Sequence, residues 1–286
     1  MLCQLKHCIL ILSVLTLFSA CEKKDPKRVK LTVQLLKAKN ARIDFVSNNM
    51  LNGDSILLYT STLDSTGSGI IEFTLDQPVF TTIQCADQYY PLYLTPGDDL
   101  KVEPDTSKKG LGVRFTGDGA SIQKYLKVTS DLQQKYENVN EVPAIRAKLE
   151  DYLVRLDSLK KGYARHYEAL SKSGDAKKEA LDILAAKIKM NLYFYQQNYV
   201  RSNFDSETEY PKLPAVIADF LKVLPEDSLA LQTRMSEYQL VLTFYLHSRI
   251  FPDVWKKLDS GKSDYSDSEV PAFVDKEIQK ASFPRL

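Results

Sequence analysis

The sequence predicts an α+β protein in which an antiparallel β-sandwich domain is followed by an α-helical domain. Up to Thr116, short runs alternate apolar and polar side chains, which is the period of two typical of half-buried strands. From Ala120 onward, apolar residues recur every three or four positions, as they do on one face of a helix. Because Gly117-Asp118-Gly119 separates the two patterns, we place the β-sandwich at residues 29–117 and the helical domain at 118–286.

The first element of the chain is an export signal, which we assign to residues 1–20. Lys6 lies near its start, an apolar stretch follows, and the small residues Ser19 and Ala20 end it. The apolar stretch is shorter than the roughly twenty residues that a membrane-spanning helix needs. This order of charge, apolar core and small residues is typical of a cleavable signal peptide.

The residues around Cys21 resemble a lipobox, the motif that directs a lipid onto a cysteine. The match is Leu17-Phe18-Ser19-Ala20-Cys21, and its departure is Phe18, where the motif usually has an aliphatic residue. We therefore predict lipidation of Cys21, with an unlipidated secretory signal and a retained anchor as alternatives. Buried acyl chains contribute about 0.8 kcal/mol per CH₂, so a lipid on Cys21 would hold the protein on a membrane without a spanning helix.

A charged tether follows the lipobox at residues 21–28 and contains almost no apolar side chains. Together with the export signal and the lipobox, this tether predicts a lipid-anchored protein of the cell envelope. We expect the folded part on the periplasmic or surface face of the outer membrane, and the sequence does not distinguish the two faces.

Seven strands are predicted in the β-sandwich domain, each bounded by turn residues. The alternation is clearest where Val29, Leu31 and Val33 are separated by polar residues. Thr95-Pro96-Gly97-Asp98 has the Pro-then-Gly order of a type II turn. Strands at this spacing favour two packed antiparallel sheets. The predicted strands cover residues 29–36, 55–60, 70–75, 79–86, 89–94, 100–103 and 112–116.

Two features of the β region invite a chemical interpretation. Asp98 and Asp99 are adjacent carboxylates, but they follow a Pro-Gly turn and no set of spaced oxygen ligands accompanies them, so turn chemistry is favoured. Cys85 lies in a β-branched run and is expected to be a buried, inert thiol.

Five helices are predicted in the second half. The first begins at Ala120, with Asp118 or Ser121 as its cap. The second opens at Pro143 and is broken by Ser173-Gly174-Asp175. The third carries the apolar stripe from Leu181 to Tyr199, the fourth covers 216–223, and the fifth starts around Pro225 and stops at Pro252.

A group of tyrosines on the predicted second and third helices is a candidate ligand or interface surface. Tyrosine rings can stack on sugars or peptides while their hydroxyls form hydrogen bonds. Aromatic residues at helical spacing are more commonly part of a core or interface, and that interpretation is favoured here. The candidate residues are Tyr163, Tyr167, Tyr193, Tyr195 and Tyr199.

The remaining composition predicts no cofactor, no metal site and no nucleic-acid partner. Lys and Arg number 38 against 37 Asp and Glu, so the basic excess that phosphate binding requires is missing. His166 and His247, the two histidines beyond the signal, have no acidic or cysteine neighbour at ligand spacing. We find no CxxC pair and no other catalytic motif, so no catalytic residue is assigned.

The order of these elements resembles the amino-terminal region of the TlpA-like thiol-disulfide interchange lipoproteins of Bacteroidetes. The resemblance rests on the lipobox, the Gly69–Leu75 strand, the 93–102 turn region and the Phe115-Thr116-Gly117 junction into a helix with Tyr125-Leu126. In that family a β domain of unknown function and a helical insert precede a thioredoxin domain. Residues that would match its CxxC pair do not occur in this chain, so the resemblance assigns no catalytic residue.

Three functions are compatible with the sequence. The favoured one is a non-catalytic envelope lipoprotein that binds or positions another envelope protein. The first alternative is the truncated or split front part of a thiol-disulfide oxidoreductase that works with a thioredoxin-like partner. The second alternative is a glycan- or ligand-binding lipoprotein that uses the tyrosines.

Overall fold

The computed structural model confirms the α+β class, with two β-sheets first in the chain and helices after them. It describes residues 25–48, 55–85, 88–104, 112–139, 142–204, 213 and 227–245. The predicted export signal, the predicted lipidation site Cys21, the fourth predicted helix and His247 lie outside these residues.

Eight strands form two four-stranded sheets that enclose one apolar core. The strands are β1 Arg28–Gln34, β2 Arg42–Asn48, β3 Ser55–Thr62, β4 Ser68–Thr74, β5 Val79–Cys85, β6 Gln88–Leu94, β7 Asp99–Pro104 and β8 Val113–Gly117. Sheet 1 has the order β4-β1-β7-β8, and sheet 2 has the order β3-β2-β5-β6. Side chains at alternate positions of both sheets face inward, among them Val29 and Leu31 of β1 and Phe45 of β2.

About seven strands were predicted, and the described residues contain an eighth, β2, which was not recognised. Its inward positions are Ile43, Phe45 and the polar Ser47, and its outward positions include the apolar Val46. An inward serine and an outward valine break the apolar-polar alternation of the sequence, although the strand itself is regular. The β-bulge between β2 and β3 has its extra residue, Leu58, in β3.

One strand pair departs from the predicted antiparallel arrangement. β1 pairs with β4 in the antiparallel direction, but it pairs with β7 in parallel, Leu31 lying opposite Leu100. The other described pairs in the two sheets are antiparallel. Parallel neighbours need a long connection, and here the chain passes through sheet 2 before it returns as β7.

The described part of the second half contains five helices. They are α1 Ala120–Glu137, α2 Leu149–Ser173, α3 Lys178–Asn203, α4 Ser228–Gln232 and α5 Ser236–Tyr245. The first three run up, down and up. At one end, the Ser121 hydroxyl of α1 donates to the Asp175 carbonyl between α2 and α3 at 3.1 Å. At the other end, the Asn203 amide of α3 donates to the Ile145 carbonyl ahead of α2 at 2.7 Å. We call these the near end and the far end of the bundle.

The predicted caps of α1 are wrong. The residue before the helix is Gly119, whose φ of 73° is left-handed, and no side chain caps the helix. The Asp118 carboxylate instead accepts a hydrogen bond from the Asp99 N–H at 3.3 Å, across the junction with β7. Asp118 therefore connects the helix start to sheet 1.

The predicted start of the second helix is also wrong. Pro143 pairs with Asn138 in a two-residue hairpin, formed by β9 Asn138–Val139 and β10 Val142–Pro143. A 3₁₀ turn, Ala144–Arg146, then leads to α2 at Leu149. The extended ψ of 141° at Pro143 suits the hairpin and not a helix start. The predicted break at Gly174 is confirmed, because Gly174 ends α2 with a φ of 73°.

The predicted fifth helix is two helices, α4 and α5. The Asp227 carboxylate caps α4 by accepting from the Ala230 N–H at 3.1 Å, and the helix ends at Gln232. Arg234 then takes a left-handed φ of 55°. The break follows from tertiary contact, since the Thr233 carbonyl accepts a hydrogen bond from the Phe80 N–H of β5 at 3.0 Å.

The helices pack on the outer face of sheet 2. Phe80 of β5 and Tyr93 of β6 belong to a second apolar core together with residues of α1, α3 and α5. Gln123 of α1, 2% exposed, donates to the Tyr93 carbonyl and accepts from the Tyr93 N–H, so its amide pairs with the open edge of β6. None of the described helices combines the length and apolar content needed to cross a bilayer.

Candidate binding site

The five candidate tyrosines are placed in different surroundings. Tyr163, Tyr195 and Tyr199 are buried, with exposed fractions of 1%, 9% and 3%. Tyr167 and Tyr193 are half-buried. The Tyr167 hydroxyl donates to the Leu181 carbonyl at 3.3 Å, and the Tyr163 hydroxyl accepts from the Gln133 amide at 2.8 Å. Most of these rings therefore belong to the helical core, and only Tyr195 and Tyr199 line a common cavity.

That cavity lies at the far end of the bundle and has a volume of about 290 Å³. Its walls come from the end of α1, the 3₁₀ turn, the first turn of α2 and the last turns of α3. We call it the aromatic cavity, because five of its lining side chains are aromatic rings: Tyr136, Tyr152, Phe194, Tyr195 and Tyr199.

The rings are packed closely against one another. Tyr152 and Tyr199 are stacked with their centroids 3.7 Å apart. Tyr136 meets Tyr195 edge-on at 4.8 Å and Tyr152 edge-on at 6.4 Å. Such stacked and edge-to-face pairs contribute roughly 0.5–1.5 kcal/mol each beyond the burial of their area, so the walls are held in position before any ligand binds.

The hydroxyls around the cavity differ in their partners. Tyr195 donates to the Glu137 carboxylate at 2.9 Å, and Tyr199 donates to the Ala147 carbonyl at 2.9 Å. The buried hydroxyl of Tyr152 has the Tyr136 hydroxyl as its neighbour, although the contact does not meet the geometry of a standard hydrogen bond. A buried hydroxyl that is only weakly bonded within the protein can exchange that contact for an acceptor on a ligand.

Burial decides the protonation of these phenols. It raises the pKa of Tyr152, Tyr195 and Tyr136 well above the ordinary value, and nearby Glu137 raises that of Tyr195 further. The three rings are therefore neutral at physiological pH. A neutral phenol can donate a hydrogen bond, so the cavity offers donors and apolar faces and no phenolate nucleophile.

The rim of the cavity is polar. Glu137 and Asn138 are exposed, and Asn198 is half-buried, so the three lining side chains place a carboxylate and two amides beside the rings. Aromatic walls with a few polar groups at the mouth are the usual composition of a ligand site.

Sequence reasoning missed Tyr136 and Tyr152 as parts of this site. Tyr152 lies in the predicted second helix but was not among the candidate tyrosines, and Tyr136 stands at the end of α1, far along the chain from Tyr195. No local pattern in the sequence brings the ends of three helices together.

Asp98, Cys85 and His166 are the other described residues that the sequence had raised as possible functional groups. The Asp98 carboxylate accepts from the Thr95 N–H at 2.8 Å and from its hydroxyl at 2.5 Å, which closes the turn before β7 as predicted. Cys85 is buried in the sandwich core, and burial raises its pKa, which keeps the thiol protonated. His166 is half-buried on α2. Within the described ranges, no three His, Cys, Asp or Glu side chains are grouped as a metal site would require.

The fold and the cavity define an α+β protein with a sandwich, an attached helical bundle and a candidate binding site at the far end of that bundle. No model of a known family matches the chain, and neither a curated protein nor a solved structure shows significant similarity to it.

Proposed function

We propose that this chain is a non-catalytic lipoprotein of the cell envelope, anchored through Cys21, that binds another envelope component in the aromatic cavity. The observation that carries the proposal is the cavity itself, with its closely packed aromatic walls and its polar rim.

The start of the fold limits the distance between a lipid anchor and the sandwich. The Arg28 N–H donates to the Asp25 carbonyl at 3.1 Å, so Asp25 belongs to a turn that leads directly into β1. Residues 21–24 can span at most about 14 Å when fully extended. A lipid on Cys21 would thus hold the start of β1 close to the membrane surface.

The direction of the bundle supports a site that faces away from that membrane. Pro26 lines the same cleft as Gly119 and Asp175, so the near end of the bundle lies beside the tether. Eighteen residues of α1 extend about 27 Å from there to Glu137 at the rim of the aromatic cavity. Pro26 and the aromatic cavity therefore lie near opposite ends of α1, and a lipid on Cys21 would put the membrane beside the end that is remote from the cavity.

A segment of another envelope protein is the occupant that we favour. An aliphatic or aromatic side chain would pack on the rings, while the Glu137, Asn138 and Asn198 side chains pair with its main chain. A few side chains that are buried in such pockets carry most of the binding free energy at protein interfaces.

The rim also supports a second candidate, a glycan. Carboxylate and amide groups beside aromatic faces suit sugar hydroxyls and the apolar faces of sugar rings. Titration with a set of mono- and oligosaccharides, followed by the chemical shifts of the rim amides, distinguishes the two. Saturable shifts with a sugar would favour the glycan as the occupant, and their absence would favour the protein segment.

Two tyrosine variants test the cavity. Tyr152→Phe removes a buried hydroxyl that has only a weak contact with the Tyr136 hydroxyl, so we expect the unfolding free energy to change by less than about 0.5 kcal/mol while binding of the envelope component weakens. Tyr199→Phe removes a hydroxyl that is bonded to Ala147, so we expect it to lower stability by about 1 kcal/mol. Equal binding by wild type and Tyr152→Phe would contradict the role of the hydroxyl.

The binding component is captured with a photo-crosslinking residue in place of Asn198. Val154, 67% exposed on the outer surface of α2, is the matched control position. We expect an adduct from position 198 that is absent from position 154 and that Phe194→Ala reduces. Equal labelling from both positions would count against the site.

The anchor is tested separately. Cys21→Ser should abolish incorporation of labelled palmitate and release the protein from the membrane fraction, whereas Cys85→Ser should leave both unchanged. Retention of label in the Cys21 variant would overturn the anchor. The resemblance to the thiol-disulfide lipoproteins stays a prediction, and a CxxC thioredoxin frame encoded directly after codon 286 would support it.

A further inference from the structure

A second cavity, of about 240 Å³, lies between the outer face of sheet 2 and the helices, and we call it the junction cavity. Strands β5 and β6 form one wall, and α1, α3 and the start of α5 form the others. Unlike the aromatic cavity, it is lined mainly by polar groups. The hydroxyl and amide residues on the outer face of the sheet and on the helices include Ser55, Thr82, Gln84, Ser130, Gln133 and Ser236.

Three charged side chains complete the lining. Lys187 of α3 and Glu237 of α5 form an ion pair at 2.5 Å, with side chains that are 18% and 17% exposed. The Lys187 ammonium also lies 4.7 Å from the centre of the Phe80 ring. Arg234 is the third group, so the lining of the described residues carries two cations and one carboxylate.

Arg234 occupies its place through a strained backbone. Its φ of 55° is left-handed, a conformation that residues other than glycine rarely adopt. The neighbouring Thr233 is bonded through its carbonyl to Phe80 of β5, so the sheet determines the turn that brings Arg234 to the cavity. Strain that the surrounding structure maintains is concentrated at functional positions.

Ser47 and Thr81 lie on the inward face of sheet 2, where their hydroxyls donate to the Phe80 carbonyl at 2.9 Å and to the Val46 carbonyl at 2.8 Å. The hydroxyls of Thr82, Ser130 and Ser236 belong to the outer face of the sheet and to the helices. Their oxygens can accept hydrogen bonds from hydroxyl groups of a ligand. The guanidinium and ammonium supply charged donors for an anionic group on the same molecule.

We propose that the junction cavity binds a small hydroxylated anion, with its carboxylate or phosphate near Arg234 and Lys187 and its hydroxyls toward the serine and threonine side chains. This site is separate from the aromatic cavity and does not depend on the function proposed for it.

The test is calorimetric titration of the full chain with glucuronate and with glucose, which share ring and hydroxyls but differ in the carboxylate. Inorganic phosphate is the third probe, and phosphate binding as tight as that of glucuronate would show that the site recognises the charge alone. We expect glucuronate to bind at millimolar concentration or below and at least about tenfold more tightly than glucose. Absence of glucuronate binding, or equal affinity for glucose, would overturn the proposal.

Variants assign the binding to the cavity. Arg234→Gln should weaken glucuronate about tenfold or more, and Arg165→Gln, at an exposed position of α2, should leave its affinity unchanged. Glu237→Gln removes the carboxylate and should tighten binding of the anion. A purely structural role for these charges predicts that the variants change thermal stability without changing affinity, and that outcome contradicts the site.

Discussion

At the scale of single residues, close backbone contacts explain why glycine is needed at one junction and merely tolerated at another. Gly117 joins β8 to the turn before α1 with a φ of 90°, and a Cβ placed there would overlap the Asp99 carbonyl oxygen. Gly174 ends α2 with a φ of 73°, and no atom lies within 4 Å of the corresponding Cβ position. At Gly174 only the left-handed backbone disfavours a side chain. At Gly117 the overlap of a Cβ with the Asp99 carbonyl oxygen disfavours it as well.

We expect Gly117→Ala to lower the free energy of unfolding by about 3 kcal/mol, because the left-handed backbone alone costs an L-residue roughly 1–2 kcal/mol and the overlap adds to it. Gly174→Ala should cost about 1 kcal/mol. Urea unfolding of both variants measures the difference. Equal losses would show that the Asp99 contact relaxes without a free-energy cost.

The ion pair of Lys187 and Glu237 makes stability depend on pH. Burial alone would raise the pKa of Glu237, but the Lys187 ammonium attracts its carboxylate and lowers the pKa below the ordinary 4.5. A lowered carboxyl pKa stabilises the fold above pH 4.5, and this contribution is lost as the pH falls through the lower value.

Lys187→Met should cost about 3 kcal/mol near neutral pH, because the buried carboxylate then has no ammonium partner. In that variant burial, the largest influence, is opposed only by hydrogen bonds from the backbone and Ser236, so we expect the pKa of Glu237 to rise above 4.5 and its contribution to be lost as the pH rises. The difference in unfolding free energy between wild type and Lys187→Met should therefore increase from about pH 4 to pH 7. With Glu237→Gln in both proteins this pH dependence should disappear, and its persistence would assign it to another group.

At the scale of secondary-structure elements, α1 closes one side of the sandwich. Its Gln123 amide pairs with both backbone groups of Tyr93 on the edge strand β6, and the Lys127 ammonium donates to the Val113 carbonyl of β8 at 3.2 Å. Open strand edges present unpaired backbone groups to other chains. Helix α1 therefore covers β8, an edge strand of sheet 1, and β6, an edge strand of sheet 2.

Gln123→Ala should lower the free energy of unfolding by about 3 kcal/mol, because it leaves two buried backbone groups of Tyr93 without their partner. Gln134→Ala, at an exposed position of the same helix, should change stability by no more than about 0.5 kcal/mol. Denaturant titration gives both values, and hydrogen exchange at the Tyr93 amide should quicken only in the first variant. Unchanged exchange there would refute the role of Gln123.

Elements with long, regular periods were predictable, and those shaped by their neighbours were not. The 26-residue α3 carries its stripe without a break, so its prediction is confirmed. β2 was missed because its inward Ser47 is polar and its outward Val46 is apolar, which hides the alternation. The start of α2 and the division between α4 and α5 were misplaced because Pro143 pairs with Asn138 and Thr233 bonds to Phe80.

At the scale of the whole molecule, the sandwich and the helices share buried surface. Phe80 and Tyr93 lie on the outer face of sheet 2, opposite the sandwich core, and pack in the helical core. Their ring centres are 5.0 Å apart. The Gln77 amide also donates to the Gln232 carbonyl at 3.2 Å, which joins the start of β5 to the end of α4. These contacts predict that the two parts unfold together.

We expect a fragment of residues 25–117 to associate, because Phe80 and Tyr93 become exposed in it. Replacing both by threonine should reduce association of the fragment, yet the same double change should destabilise the full chain by about 4 kcal/mol, at roughly 2 kcal/mol per buried aromatic ring. Sedimentation of the fragment and urea unfolding of the full chain check the two halves of this prediction. A monomeric fragment with the natural residues would show that the sandwich does not need the helices to cover it.

The sequence by itself determined the class of fold, the order of the strand-rich and helical parts, and the burial of the tyrosines, because these depend on local periodicity. Only the tertiary structure decided the parallel pairing of β1 with β7, the closure of β6 by Gln123 and the position of both cavities. The aromatic cavity joins Tyr136, Tyr152 and Tyr199 from three helices. Periodicity shows which face of an element is apolar. It carries no information on the distance in space between residues that are far apart in the chain, because only packing brings such residues together.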